Sequence, residues 1–121
     1  MPTTRDLMSR AMVDVFSNPD PGNRAAAVRE IFTDDAVFYE PDNAYEGIDA
    51  IERHAEALLE QKPGWVFTPR AFLEGKNIGL LTWGRGPAGE AFVHTGRDIA
   101  LLEKGRIRRL YVLIGEPTLE A

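Results

Sequence analysis

Apolar positions fall at helical spacing through the first half of the chain and alternate like strands through the second. Leu7, Met8, Ala11, Met12, Val15 and Phe16 recur every three or four residues, predicting a helix from a Thr3 or Thr4 cap to about Phe16. Seven turn-forming residues, Ser17 to Asn23, end it. A second helix is expected over about Arg24–Phe32, with Ala25, Val28, Ile31 and Phe32 inward. Thr33-Asp34-Asp35 reads as a turn into a short strand, Ala36–Glu40, which Pro41 stops because proline has no amide hydrogen for a ladder. Asn43–Gly47 reads as a loop or a second short strand. A third helix follows over about Ile48–Gln61, with Ile48, Ile51, Ala55, Leu58 and Leu59 on one face.

From Trp65 onward the pattern is β. Strands are predicted at Trp65–Glu74, Ile78–Arg85, Glu90–Leu102 and Arg106–Gly115, joined by Gly-containing turns into a four-stranded antiparallel meander. Helices first and strands last give an α+β fold: three N-terminal helices packed on a curved, mostly antiparallel sheet, as one domain over residues 1–121. Helices cover one sheet face only, yet Val93, Ile99, Leu101 and neighbouring strand residues leave the other apolar as well. A homodimer through that open face is therefore expected.

Composition narrows the function classes. A net charge of −5 argues against a nucleic-acid or anionic-membrane binder. The absence of cysteine removes disulfides, thiolate nucleophiles and Cys-ligated metals. The first sixteen residues are interrupted by Arg5, Asp6, Arg10 and Asp14 and lack the apolar core of a signal peptide, and no run approaches the ~20 apolar residues of a span. A cytoplasmic location is expected. Two histidines on different elements offer no metal spacing, and no Gly-rich phosphate loop opens a helix, so no metal or cofactor is expected.

The chemistry-bearing stretch is Glu90–Leu102. Strand alternation puts His94, Gly96, Asp98, Ala100 and Leu102 on one face. Asp98, among small and apolar neighbours, must be either protonated and donating or paired, with Arg85 or Arg108 as partners. His94 lies about 13 Å from it at roughly 3.3 Å per residue, so the two can line one pocket without forming a dyad. Glu40, at a strand end, reads either as a base whose pKa is raised by desolvation or as a solvated partner of Arg29 or another basic side chain. His54, between Ile51 and Leu58 in helical spacing, tends inward, as a carbonyl-polarising group or a satisfied core histidine. Trp65, Phe67, Phe72, Trp83, Phe92 and Phe38 supply aromatic area for a core or for a cavity holding an apolar ring.

The element order, with IFTDDAVFYEP (Ile31–Pro41), EGIDAI (Glu46–Ile51) and GRDIALLEKGRIRRLYVLIGE (Gly96–Glu116), resembles the nuclear transport factor two superfamily. Within it, the chain is most similar to the SnoaL-like polyketide cyclase and ketosteroid isomerase branch. The resemblance implies a cone-shaped fold with an apolar pocket. It places Glu40, before Pro41, where the isomerases carry a general-base aspartate, and Asp98 where they carry a protonated aspartate in the oxyanion hole. The isomerases' oxyanion tyrosine has no counterpart; Met12 stands nearest. His54 falls at an aromatic pocket position.

The implied activity is cofactor-independent acid–base chemistry on a small hydrophobic carbonyl compound of polyketide, steroid or terpenoid type. Its catalytic residues would be Glu40, Asp98 and His94, with His54, Trp65, Phe67, Trp83, Met12 and Phe38 against the substrate. A non-catalytic dimeric binding module of the same fold is the alternative. An epoxide-hydrolase arrangement is not evident, because Arg97 and Asp98 face opposite sides of their strand.

Overall fold

The computed structural model describes residues 2–119. Helix α1, Thr4–Arg10, begins in a reciprocal cap: the Thr3 hydroxyl accepts from the Asp6 amide at 3.1 Å, and the Asp6 carboxylate accepts from the Thr3 amide at 3.2 Å. Its apolar stripe runs on to Val15 as expected, but Ala11–Val15 are wound as a π-helical turn. Helix α2, Pro21–Ile31, starts three residues earlier than its apolar pattern suggested. Asp20 caps it by accepting from the Gly22 and Asn23 amides, and Pro21 supplies the preset φ of a first helical position. Helix α3 occupies Ile48–Gln61.

Six strands form one sheet: β1 Phe32–Glu40, β2 Asn43–Glu46, β3 Trp65–Gly75, β4 Ile78–Pro87, β5 His94–Glu103 and β6 Arg106–Ile114. Their order is β2-β1-β6-β5-β4-β3. The C-terminal four are the expected antiparallel meander, and β1 extends it by pairing with β6 in parallel. That pairing joins residues some seventy positions apart and has no local signature.

Two expectations are corrected. The 33–35 segment is strand, not turn, with the register shifting between Phe32 and Val37. Strand β5 starts at His94, not Glu90. Residues 90–93 instead fold back over the preceding strand, and the Val93 amide donates to the Arg85 carbonyl at 2.8 Å. Pro69 is accommodated because β3 is an edge strand that bulges between Pro69 and Phe72, where the Thr82 hydroxyl accepts from the Ala71 amide.

The three helices cover one face. Met8, Met12, Val28, Ile31 and Ile51 meet Phe32, Leu81, Ile107 and Leu110 in a fully buried core. Leu73, Val93 and Leu113 remain exposed. No described helix is long and apolar enough to cross a membrane.

Candidate functional site

Helices and sheet leave a cavity of about 220 Å³ between them. Met12 and Phe16 from the first helical stretch, Phe38 from β1, Leu58 from α3, Phe67 from β3 and Val112 from β6 form its apolar walls. Phe67 packs edge-on against Trp83 with ring centroids 5.1 Å apart, and Phe16 lies 5.0 Å from Phe38. Four groups with polar chemistry face the same space: Glu40, Arg85, His94 and Asp98.

Asp98 is held by the register of β4 on β5. Trp83 pairs with Gly96, and a Cβ on Gly96 would lie 2.4 Å from the Trp83 ring; only a glycine lets the indole lie there. The indole Nε1 then donates to Asp98 Oδ1 at 2.9 Å. Asp98 is 6% exposed, and the hydrogen bond to Trp83 is its only side-chain contact of that kind among the described residues. Burial pushes its carboxyl up to about 7, against a smaller downward pull from the Trp83 donor. Neither Arg85 nor Arg108 pairs with it; Arg108 reaches Asp35 and Glu103 instead. Of the readings open for Asp98, the ion pair with Arg85 or Arg108 is not formed, and the raised pKa favours the protonated form below about pH 7.

Glu40 is tuned in the opposite direction. The β1–β2 hairpin sets Phe38 against Tyr45, and α3 returns His54 alongside. His54 Nε2 lies 2.8 Å from Glu40 Oε2, and the Tyr45 hydroxyl donates to Oε1 at 3.3 Å. The His54 ring stacks on Tyr45 at 3.9 Å. The His54 hydrogen bond outweighs desolvation and holds the Glu40 carboxyl below its ordinary value. The expectation of a raised pKa is therefore corrected: desolvation acts, but a partner invisible in the local sequence overrides it. Arg29 is not that partner, since it pairs with Asp49 and Glu52.

The SnoaL-like domain model matches residues 9–110, which include every group facing this cavity except Val112 and Ile114. The chain belongs to the SnoaL-like domain family. Solved structures agree on the fold. A candidate isomerase of the SnoaL-like family from Agrobacterium tumefaciens str. C58 superposes with a TM-score of 0.81 at 20% identity, covering 94% of this chain and all of its own. A candidate SnoaL-like polyketide cyclase from Jannaschia sp. CCS1 gives 0.76 at 12% identity, over 91% of this chain and 83% of its own. A protein of unknown function with the nuclear transport factor two-like fold, from Cytophaga hutchinsonii ATCC 33406, gives 0.69 at 20% identity, over 95% and 92%. No curated protein matches the chain at a significant level.

Within this SnoaL-like cone, Glu40, Asp98, His94, Phe67, Trp83, Met12 and Phe38 face the cavity, and His54 and Trp65 do not line it. His54 lies one step back, against Glu40. Trp65 flanks His94 with centroids 6.0 Å apart and lies against the Lys62 and Arg85 cations. Phe72 and Phe92 pack elsewhere, under Arg5 and Arg70.

Sequence reasoning considered Arg85 only as a partner for Asp98 and gave Tyr45 no role. Arg85 was findable: it shares the face of Trp83, two residues before it, and of Leu81, four before it. Tyr45 was not, because its approach depends on the hairpin register. Among the described residues no cluster of three or more metal-ligating side chains occurs.

Proposed function

We propose that this SnoaL-like protein is an acid–base enzyme that enolises a small hydrophobic carbonyl compound, leading to isomerisation, aldol-type cyclisation or dehydration. One observation carries the reading: two carboxyl groups, Glu40 and Asp98, face one largely apolar cavity from environments that drive their pKa values apart. Glu40, ionised and oriented by His54 and Tyr45, removes a proton α to the carbonyl. Asp98, neutral and anchored through Oδ1 by Trp83, donates from Oδ2 to the oxygen on which negative charge develops. Protonated Glu40 then returns its proton to another carbon, or the enolate attacks a second carbonyl or expels a leaving hydroxide as water.

The lowered basicity of Glu40 narrows the substrate. A weak base removes acidified protons, so β-dicarbonyl and vinylogous compounds of polyketide type suit it better than simple ketones. Size narrows it further. A cavity of 150 Å³ is known to admit benzene, so about 220 Å³ suits one substituted ring rather than four fused ones. A second copy of the chain on the exposed Leu73, Val93 and Leu113 face completes the proposed assembly.

The test is exchange of α-protons for deuterium in monocyclic enones and β-keto esters, followed by NMR in D₂O. The wild-type protein should accelerate exchange in at least one of them, and Glu40→Gln should lose at least ~10² of that acceleration. Exchange within about threefold of wild type in both Glu40→Gln and Asp98→Asn would sink the assignment.

A further inference from the structure

Arg85 is a half-buried cation in the wall of the cavity, and among the described residues no carboxylate lies within ion-pair distance of it. Its guanidinium is clamped between two rings, 4.9 Å from the Phe67 centroid and 5.5 Å from that of Trp65. Burial lowers its pKa, with only a through-space pull from Glu40 acting the other way. Glu40 itself is engaged by His54 and Tyr45 and forms no hydrogen bond to Arg85. A guanidinium is planar and presents its donors in a fork that fits a carboxylate with two parallel hydrogen bonds. Here two aromatic rings lie against the guanidinium, and no side-chain hydrogen bond engages its donors among the described residues.

The neighbours add donors on the same side. His94 is the direct cross-strand partner of Arg85, exposed where the cavity opens, and its ring faces the same space. Directly opposed residues stand ~5 Å apart at Cβ, so imidazole and guanidinium can share one ligand group. The Lys62 ammonium sits over the far partner of the clamp, 5.0 Å from the Trp65 ring centroid. Arg85, His94 and Lys62 thus gather around one tryptophan in a chain whose net charge is −5. The apolar walls of Met12, Phe38 and Val112 continue inward from there toward Asp98.

We infer that the cavity takes a carboxylate-bearing substrate, with the acid group held by Arg85 and His94 at the mouth and the apolar ring seated within. The inference rests on the cavity being a ligand site, and it adds an anionic handle to the carbonyl compound proposed above. Such a handle fixes which end enters first, and therefore which carbon meets Glu40 and which oxygen meets Asp98.

A matched pair of probes tests it without turnover. 4-Isopropylbenzoate and 4-isopropylacetophenone have nearly the same shape and differ in the charge of one terminal group. Binding to the intact protein is read by quenching of tryptophan fluorescence, because Trp83 and Trp65 flank the site. The acid should bind at least about tenfold tighter than the ketone, a preference that weakens as salt is raised. Arg85→Gln should bring the ratio to within about threefold, and Arg85→Lys should retain part of it. The ratio is the readout, so a general loss of packing affects both ligands and cancels.

Equal affinities in wild type overturn the inference even if the variants do not fold, and so does a ratio that survives Arg85→Gln. This outcome is separable from failure of the enzymatic reading. Loss of the α-proton exchange result with an intact acid preference leaves a carboxylate-binding module; exchange without the preference leaves the enzyme and removes the handle.

Discussion

Replacing Asp98 by Asn should make this protein more stable at neutral and alkaline pH and leave it nearly unchanged in acid. The wild-type carboxyl is buried, with a single donor, and its pKa rises from 3.8 to about 7 on folding. A rise of about three, at ~1.4 kcal/mol for each, is about 4 kcal/mol of destabilisation once the pH exceeds the folded value. Because the folded pKa is the higher one, the group's stability is fully present below pH 3.8 and is lost as pH rises through about 7. Asparagine keeps an oxygen for the Trp83 donor and puts an N–H₂ where the acid has O–H, with no charge to desolvate. Urea unfolding of both proteins at pH 4, 6 and 8 is the assay, with the difference in ΔG as the readout. Other titrating groups are common to both proteins and cancel. The difference should grow in favour of Asp98→Asn with a slope of ~1.4 kcal/mol per pH unit between the two pKa values, then level off. A difference that does not vary with pH would refute the reasoning, since Asp98 would then titrate alike in the folded and unfolded chain.

Three other outcomes follow from the same contacts. Gly96→Ala places a methyl 2.4 Å from the Trp83 ring and 2.6 Å from the Leu113 carbonyl oxygen. It should cost about 1–3 kcal/mol in thermal or urea unfolding and alter the near-ultraviolet signal of Trp83. His54→Ala removes the strongest partner of Glu40, so NMR titration should show its carboxyl moving up toward the ordinary value of 4.5. The lowered pKa gives a stabilisation present above about pH 4.5 and lost as pH falls through the folded value, so wild type should show an acid-side loss that the variant lacks. Tyr45→Phe removes a 3.3 Å bond only and should shift Glu40 upward by less than His54→Ala does, in the same titration.

How much of this could be read from residues alone depends on the range of the interaction. The caps of α1 and α2 sit within three residues of the groups they satisfy, and the alternation that aims His94, Gly96 and Asp98 at one face is a two-residue period. The burial of Asp98 among apolar residues, which raises its pKa, was legible from its apolar neighbours in the sequence. What the sequence could not show lies in register and crossover. Glu90–Val93 has strand composition, yet Gly86 leaves room for it to fold back: a Cβ there would meet the Ala91 carbonyl at 2.9 Å. The parallel β1–β6 pair joins residues some seventy positions apart. Glu40 carries the clearest lesson, because its environment comes from a hairpin partner and a helix that each return to it. Burial alone gave the wrong direction for its pKa.

The opposed states of the two carboxyls also bear on the choice between enzyme and binding module. A module that only holds an apolar ligand gains nothing from a buried aspartate lacking a counter-ion; leucine at position 98 would fill the space without the cost of about 4 kcal/mol derived above. The cone carries that cost at a residue lining the cavity. Two strands away in the same sheet, His54 and Tyr45 hold the Glu40 carboxyl below its ordinary value. Two carboxyls shifted in opposite directions beside one cavity of ~220 Å³ fit the enzymatic proposal better than passive binding. Proton transfer requires both at once: a base that is empty and an acid that is full at the same pH. The pH profile of α-proton exchange should therefore be a plateau bounded below by Glu40, under pH 4.5, and above by Asp98, near 7. Asp98→Asn should abolish the alkaline limb while the acid limb stays in place. A profile whose alkaline limb survives that substitution would assign the acid to a group other than Asp98.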